Sequence, residues 1–150
     1  MKDRFLLVTK CLLNVMFFCG IPTTISIPFL LKWYGDNVNA YYSGRYYIFQ
    51  SIFFVISGLF ACLIVYELRK MIKSVEEDNC FVQSNVISLK RMGNYAFIIA
   101  LASVGRFFLY ITPGVLVVII VFIIAGLFSK VLSKVFARAV AYKEENDMTI

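Results

Sequence analysis

Four apolar stretches, each long enough to cross a lipid bilayer, take up most of this chain. A helix needs about 20 apolar residues, each rising about 1.5 Å, to cross about 30 Å of hydrocarbon. Stretches at about 11–31, 46–66, 92–111 and 113–133 meet this requirement. The chain is 61% hydrophobic, above the roughly 45–50% of soluble domains, so the excess must face lipid. The sequence therefore predicts an all-α fold, a four-helix transmembrane bundle that forms a single integral membrane domain over 1–150.

The basic residues lie almost entirely on one side of this topology. Of the fifteen Lys and Arg residues, all but Lys32, Arg45 and Arg106 fall beside the two termini or the loop between spans 2 and 3. Loops rich in Lys and Arg stay in the cytoplasm. We therefore expect a multi-pass protein of the cell membrane with both termini in the cytoplasm.

Trp and Tyr residues cluster at the predicted outer boundary of the spans, where amphipathic rings settle at headgroup depth. They are Trp33, Tyr34, Tyr41, Tyr42, Tyr46, Tyr47 and Tyr110. An aromatic belt is the first interpretation. A contact surface for an extracellular peptide or lipid is the second, because Tyr and Trp also anchor protein interfaces.

The residue inventory argues against an enzyme. The chain has no histidine, which excludes imidazole bases, Ser-His-Asp triads and His-ligated metals. Its four cysteines include no C-x-x-C pair, so disulfide exchange and metal binding are not expected. No Asp or Glu falls inside a predicted span, which disfavours a proton-coupled exporter. We expect a protein without catalytic activity, cofactor or metal.

The first span contains Pro22 and Pro28, so we expect a kink in its outer half. Thr23, Thr24 and Ser26 could bond the carbonyls that the prolines leave free.

Polar residues also occur near the inner ends of two spans. Asn14 lies one turn into the first span and Asn94 at matching depth in the third, so the two amides are expected to pair between helices.

Arg106 lies near the outer end of the third span, and Pro113 begins the fourth soon after it. The connection is too short for a loop, so helices 3 and 4 should form a tight hairpin. Arg106 could reach the outer headgroups or pair with Asp36.

The region 67–91 reads as a helical hairpin that projects into the cytoplasm. Apolar residues continue at helical spacing past the second span and stop at an acidic run, Glu76-Glu77-Asp78. Asn79 is a suitable N-cap for the next helix, which leads into span 3. Phe81 at the turn would be exposed unless it packs on the bundle or a partner. The candidate partner-docking residues are Glu76, Glu77, Asp78, Asn79, Phe81 and Asn85.

The tail, 134–150, reads as a cytoplasmic extension of helix 4. Lys130, Lys134 and Arg138 form a basic stripe at i, i+4 and i+8. This stripe would bind anionic lipid headgroups, or alternatively an acidic or regulatory partner. Direct nucleic-acid binding is not expected, because these charges lie against the membrane.

Several of these residues resemble a known family. They are the run Glu76-Glu77-Asp78-Asn79-Cys80-Phe81, then Asn85, Leu89, Lys90, Arg91 and Gly93, and the tail ending Glu145-Asn146-Asp147-Met148-Thr149-Ile150. Across essentially the whole chain, the sequence resembles bacterial membrane proteins of domain of unknown function family 2975. Members usually have Asn-Pro-Phe where this chain has Asn79-Cys80-Phe81, and a proline would pre-organise helix entry.

The resemblance implies no catalytic activity and no cofactor. Members are commonly encoded beside a small helix-turn-helix regulator, which implies a membrane partner that holds or releases a transcription factor.

Three functions fit the sequence. The first is a non-enzymatic membrane regulator whose cytoplasmic hairpin and tail bind a soluble partner, such as a small helix-turn-helix transcription regulator. The second is a self-protection (immunity) protein against membrane-active peptides. The third is a small transport or channel subunit, which would have to form a homo-oligomer to line a pathway.

Overall fold

The structure, a computed structural model, describes residues 4–40 and 44–148. It contains four long helices, α1 (Arg4–Asn37), α2 (Tyr47–Glu76), α3 (Gln83–Leu109) and α4 (Pro113–Met148). Each is long and apolar enough to cross a membrane, so the prediction of four spans in an all-α protein is confirmed. These are the features of a multi-pass membrane protein.

The four helices pack in series. In the described part of the chain, α1 contacts α2, α2 contacts α3 and α3 contacts α4, and no other pair of helices meets. The helices therefore form an open array and do not close around one core, so the predicted bundle is wrong in this respect. The apolar flanks of α1 and α4 lose nothing by facing acyl chains, so lipid imposes no need for closure.

Small residues allow neighbouring helices to approach closely. A Cβ atom added at Gly126 of α4 would lie 2.6 Å from the Phe97 ring of α3. A Cβ atom added at Gly105 of α3 would lie 2.8 Å from the Phe53 ring of α2. Glycine lets a ring of one helix rest on the backbone of the next, which is how helices gain dispersion energy in lipid.

The helix α1 runs without interruption through Pro22 and Pro28. The hydroxyls of Thr23, Thr24 and Ser26 donate to the carbonyls of Cys19, Gly20 and Pro22, each one turn earlier. The prolines leave free the carbonyls of Phe18 and Thr24, so the predicted bonding partners are wrong. A hydroxyl bonds back over three or four residues, and no Ser or Thr lies at that spacing from either freed carbonyl.

The two short connections follow the sequence closely. Helix α2 ends at Glu76, in the acidic run, and Asp78 in the turn has a φ of 53°. Helix α4 begins at Pro113, and the Thr112 hydroxyl accepts a hydrogen bond of 3.3 Å from the Val115 amide. The predicted end of α2 and the tight α3–α4 hairpin are both confirmed.

The predicted N-cap of α3 is wrong. The residue before the helix is Val82, in extended conformation and with no side-chain cap bond. Asn79 lies too far upstream to reach the first amides of α3, and its side chain bonds another helix instead.

The end of α1, the start of α2 and the α3–α4 connection lie at one end of the array. Trp33, Tyr34, Tyr46, Tyr47 and Tyr110 are found there. Tyr41 and Tyr42, which were assigned to the same belt, lie outside the described residues.

Candidate docking site at the hairpin end

The start of α1, the α2–α3 turn and the end of α4 lie together at the opposite end, which we call the hairpin end. A groove of about 220 Å³ opens there between the turn and the last turns of α4. It is lined by Phe81, Val82, Gln83, Val140, Lys143, Glu144 and Asp147. The chain thus brings the predicted hairpin and tail into one surface.

The apolar part of the groove is built around Phe81. Its ring lies 5.3 Å from that of Phe136 in α4, in edge-to-face geometry, and the residue stays 44% exposed. Such a pair contributes beyond the area that it buries. Phe81 therefore packs on the tail and still presents apolar surface to the groove.

A hydrogen bond ties the turn to the tail beside this ring pair. The Lys143 ammonium donates to the Asn79 side-chain oxygen at 2.6 Å. The Asn79 side chain, predicted to dock a partner, thus already holds the tail against the turn.

Asn85 is also a structural residue, so its assignment as an exposed docking residue is wrong. It is buried, and its amide donates to the Ser74 hydroxyl at 2.7 Å and to the Cys80 carbonyl at 2.6 Å. Asn85 lies in the first turn of α3, which begins at Gln83, and it faces α2 and not solvent. The bond to the Cys80 carbonyl holds the turn, and the bond to Ser74 joins α3 to α2.

Two acidic side chains, Glu144 and Asp147, line the groove, and further acids lie on the turn and on α4. Glu77 and Asp78 are exposed on the turn, and Glu144, Glu145 and Asp147 are exposed on α4. The tail acids were not among the predicted docking residues. Val140, Glu144 and Asp147 recur at i, i+4 and i+7, so extending the helical period through the tail would have placed them on one face.

Glu76 differs from its acidic neighbours because it pairs with the Lys10 ammonium of α1 at 3.0 Å. Its carboxylate therefore joins α1 to α2.

A buried carboxylate below the turn was missed by the sequence reasoning. Glu67 is only 3% exposed, lying 3.4 Å from the Lys70 ammonium and 3.6 Å from the Arg91 guanidinium of α3. It stands one residue beyond the predicted second span, so counting charges within spans could not find it. The pair with Arg91 joins α2 to α3.

The predicted amide pair between Asn14 and Asn94 is wrong. The Asn14 oxygen accepts from the Arg69 Nε at 2.9 Å, and the Asn94 oxygen accepts from the Lys130 ammonium at 2.6 Å. The helices α1 and α3 do not meet, so equal depth does not bring the two amides together.

The basic stripe divides in the structure. Lys130 packs its stem over Gly93 and donates to the Asn94 oxygen, whereas Lys134 and Arg138 are exposed. At the other end of the array, the Arg106 guanidinium lies 4.2 Å from the centroid of the Phe54 ring.

A family model described as "Protein of unknown function (DUF2975)" matches residues 30–150. The chain belongs to this family. The match includes α2, α3 and α4 entirely but begins within α1, so it covers less than the whole chain that the resemblance suggested. No curated protein and no solved structure matches the chain.

Every residue that lines the groove falls within the matched DUF2975 region. Lys10 and Asn14, which join α1 to α2, precede it. Within the described ranges, no group of three or more Cys, Asp or Glu residues is placed to hold a metal ion.

Proposed function

We propose that this DUF2975 protein is a non-enzymatic membrane regulator that docks a small basic soluble protein at the hairpin end. The observation that carries the proposal is the groove between the α2–α3 turn and α4, with Phe81 in its wall and carboxylates around it. Exposed apolar surface inside a charged rim is typical of a protein interaction site.

The charge of the rim specifies the chemistry of the partner. Of the charged residues that line the groove, Glu144 and Asp147 are acidic and exposed, and the single base, Lys143, is engaged with Asn79. Complementary charge speeds encounter and selects partners. A small helix-turn-helix DNA-binding protein, as the family resemblance implies, carries the required positive surface.

The proposal includes an orientation in the cell membrane. Positively charged residues concentrate at the hairpin end, so this end faces the cytoplasm together with both termini. A fluorescent protein fused after Ile150 should therefore fluoresce, and a periplasmic phosphatase fused there should be inactive. The reverse pattern would place the groove outside the cell and rule out a cytosolic partner.

Site-specific photocrosslinking tests the docking. In one variant a photoreactive residue replaces Gln83, which is exposed in the groove. In the control variant it replaces Trp33, which is exposed at the opposite end. We expect an adduct with a small basic DNA-binding protein from position 83 and none from position 33. The Glu144→Gln, Asp147→Asn double variant removes two negative charges and leaves the groove walls intact. It should therefore weaken the adduct several-fold.

Three results would contradict the proposal. The first is an equal adduct yield from positions 83 and 33. The second is an adduct at position 83 that contains no DNA-binding protein. The third is an adduct at position 83 whose yield is unaffected by the double variant.

A further inference from the structure

We propose that a second site, the cleft between α1 and α2 at the hairpin end, binds the phosphate of an anionic phospholipid. The cleft measures about 310 Å³, and its polar lining includes Lys10, Asn14, Arg69, Lys70, Lys73 and Glu76. Four cations thus face one carboxylate. This inference does not depend on a protein partner and concerns residues that the groove does not use.

The geometry of Arg69 is the strongest indication. Its Nε donates to the Asn14 oxygen, and the guanidinium lies 4.7 Å from the Phe17 ring centroid and 5.2 Å from that of Phe18. These contacts fix the plane of the group. Its terminal nitrogens have no hydrogen-bond partner among the described residues, so a held fork of donors remains for a ligand. This fork matches two oxygens of one phosphate.

The lysines of the cleft differ in whether they already contact a carboxylate. Lys10 pairs with Glu76, and Lys70 lies near Glu67 and 5.3 Å from the Tyr66 ring centroid. Lys73 is exposed and has no ion pair within the described part of the chain. A phosphate bound by Arg69 would therefore find the Lys73 ammonium available beside it.

The position of the cleft favours a lipid over a soluble anion. It lies where the apolar stretches of α1 and α2 give way to charged residues, which is headgroup depth. Its lining also contains Leu13, Tyr66 and Ile72, with Phe17 and Phe18 beneath Arg69. A lipid can place its phosphate among the cations and its acyl chains along the apolar side. The volume of the cleft is at the low end of the roughly 300–1,000 Å³ of small-molecule pockets, which is enough for a headgroup.

Native mass spectrometry of the purified full-length chain, titrated with phosphatidylglycerol or phosphatidylcholine, tests the site. We expect phosphatidylglycerol to bind about tenfold more tightly, because choline adds a positive charge next to the cations. Arg69→Gln should weaken phosphatidylglycerol about tenfold, as expected for loss of charge-assisted hydrogen bonds. Arg69→Lys, which keeps the charge but not the fork, should give an intermediate loss.

Two further variants separate binding from folding and from bulk charge. Arg69→Gln leaves Asn14 without its donor, so Lys73→Gln, on an exposed side chain, provides an independent loss of a few-fold. Lys90→Gln is the matched control, since it removes one exposed cation from the hairpin end outside the cleft. It should bind phosphatidylglycerol like the unmodified protein.

Equal affinity for the two lipids would overturn the proposal, as would losses in Arg69→Gln and Lys73→Gln no greater than in Lys90→Gln. Competition with inorganic phosphate distinguishes a lipid from a free anion as the ligand. If millimolar phosphate displaces phosphatidylglycerol completely, the ligand is the free anion and the lipid assignment is wrong. Continued lipid binding in its presence supports the assignment.

Discussion

The helices α1 and α3 are both long and apolar enough to cross a membrane, yet they differ in how many neighbours they contact. Helix α3 contacts α2 and α4 and contains the largest set of buried residues, whereas α1 contacts α2 alone and has only Leu13 and Gly35 buried. Helix α3 nevertheless has the lowest mean hydropathy of the four. In lipid, small and polar residues mark the packed helix, and strongly apolar ones mark the face toward acyl chains.

The largest expected effect comes from crowding the interface that centres on α3. Gly126→Leu would press a side chain into the Phe97 ring, so we expect a loss of about 3 kcal/mol in the free energy of unfolding. Gly114→Leu is the control on the same helix, because nothing lies within 4 Å of its added Cβ. Thermal unfolding in detergent measures both. Equal losses would mean that α4 does not rest closely on α3.

A matched pair of isoleucines tests the comparison directly. Ile99 of α3 is 2% exposed and Ile25 of α1 is 68% exposed. Ile99→Ala should cost about 2 kcal/mol through lost packing contacts, and Ile25→Ala less than about 0.5 kcal/mol. If the two variants unfold at the same temperature, α1 is packed against more than α2.

Two carboxylates on α2 make the same test with charge. Glu67 faces Arg91 of α3 and is buried, so Glu67→Gln should cost about 1.5 kcal/mol by leaving the cations without their counter-ion. Glu76 faces Lys10 of α1 and is partly exposed, so Glu76→Gln should cost about 0.5 kcal/mol. Unfolding measured at low and high salt should show the greater salt dependence for the Glu76 pair. A larger cost at Glu76 would reverse the ranking of the two interfaces.

The smallest effect has the opposite sign. Gln50 of α2 is 1% exposed, and neither its amide nitrogen nor its amide oxygen has a hydrogen-bond partner in the part of the chain that the structure describes. Gln50→Leu should therefore stabilise the fold by about 1 kcal/mol. Gln83→Leu, at an exposed position, should leave the unfolding temperature nearly unchanged. Destabilisation at position 50 would show that its amide is bonded in the folded protein.

Features set by local chemistry were predictable from the sequence. The acidic run ends α2, Pro113 begins α4, and the helical period carries α4 far beyond its apolar stretch. Features that depend on which helices contact each other were not predictable from the sequence. Asn14 and Asn94 have the same depth, but they lie on helices that never touch. Asn85 resembled a surface residue because both faces of this part of α3 carry polar residues. The sequence therefore does not show which face packs on α2.

The candidate site shows the same division. Phe81 and the acids of the turn were identified from the sequence, whereas the tail acids Glu144 and Asp147 joined them only because α4 returns beside the turn. The cleft at Arg69 was not anticipated either, since its residues come from separate parts of α1 and α2.

The sequence by itself determined the number of spans, the ends of α2 and α4 and the side on which charge collects, because bilayer thickness, helix capping and charge act on each segment alone. The tertiary structure decided which helix is central, which amides have partners, and that the array stays open. Those outcomes depend on contacts between segments, and lipid satisfies an apolar face as well as another helix does.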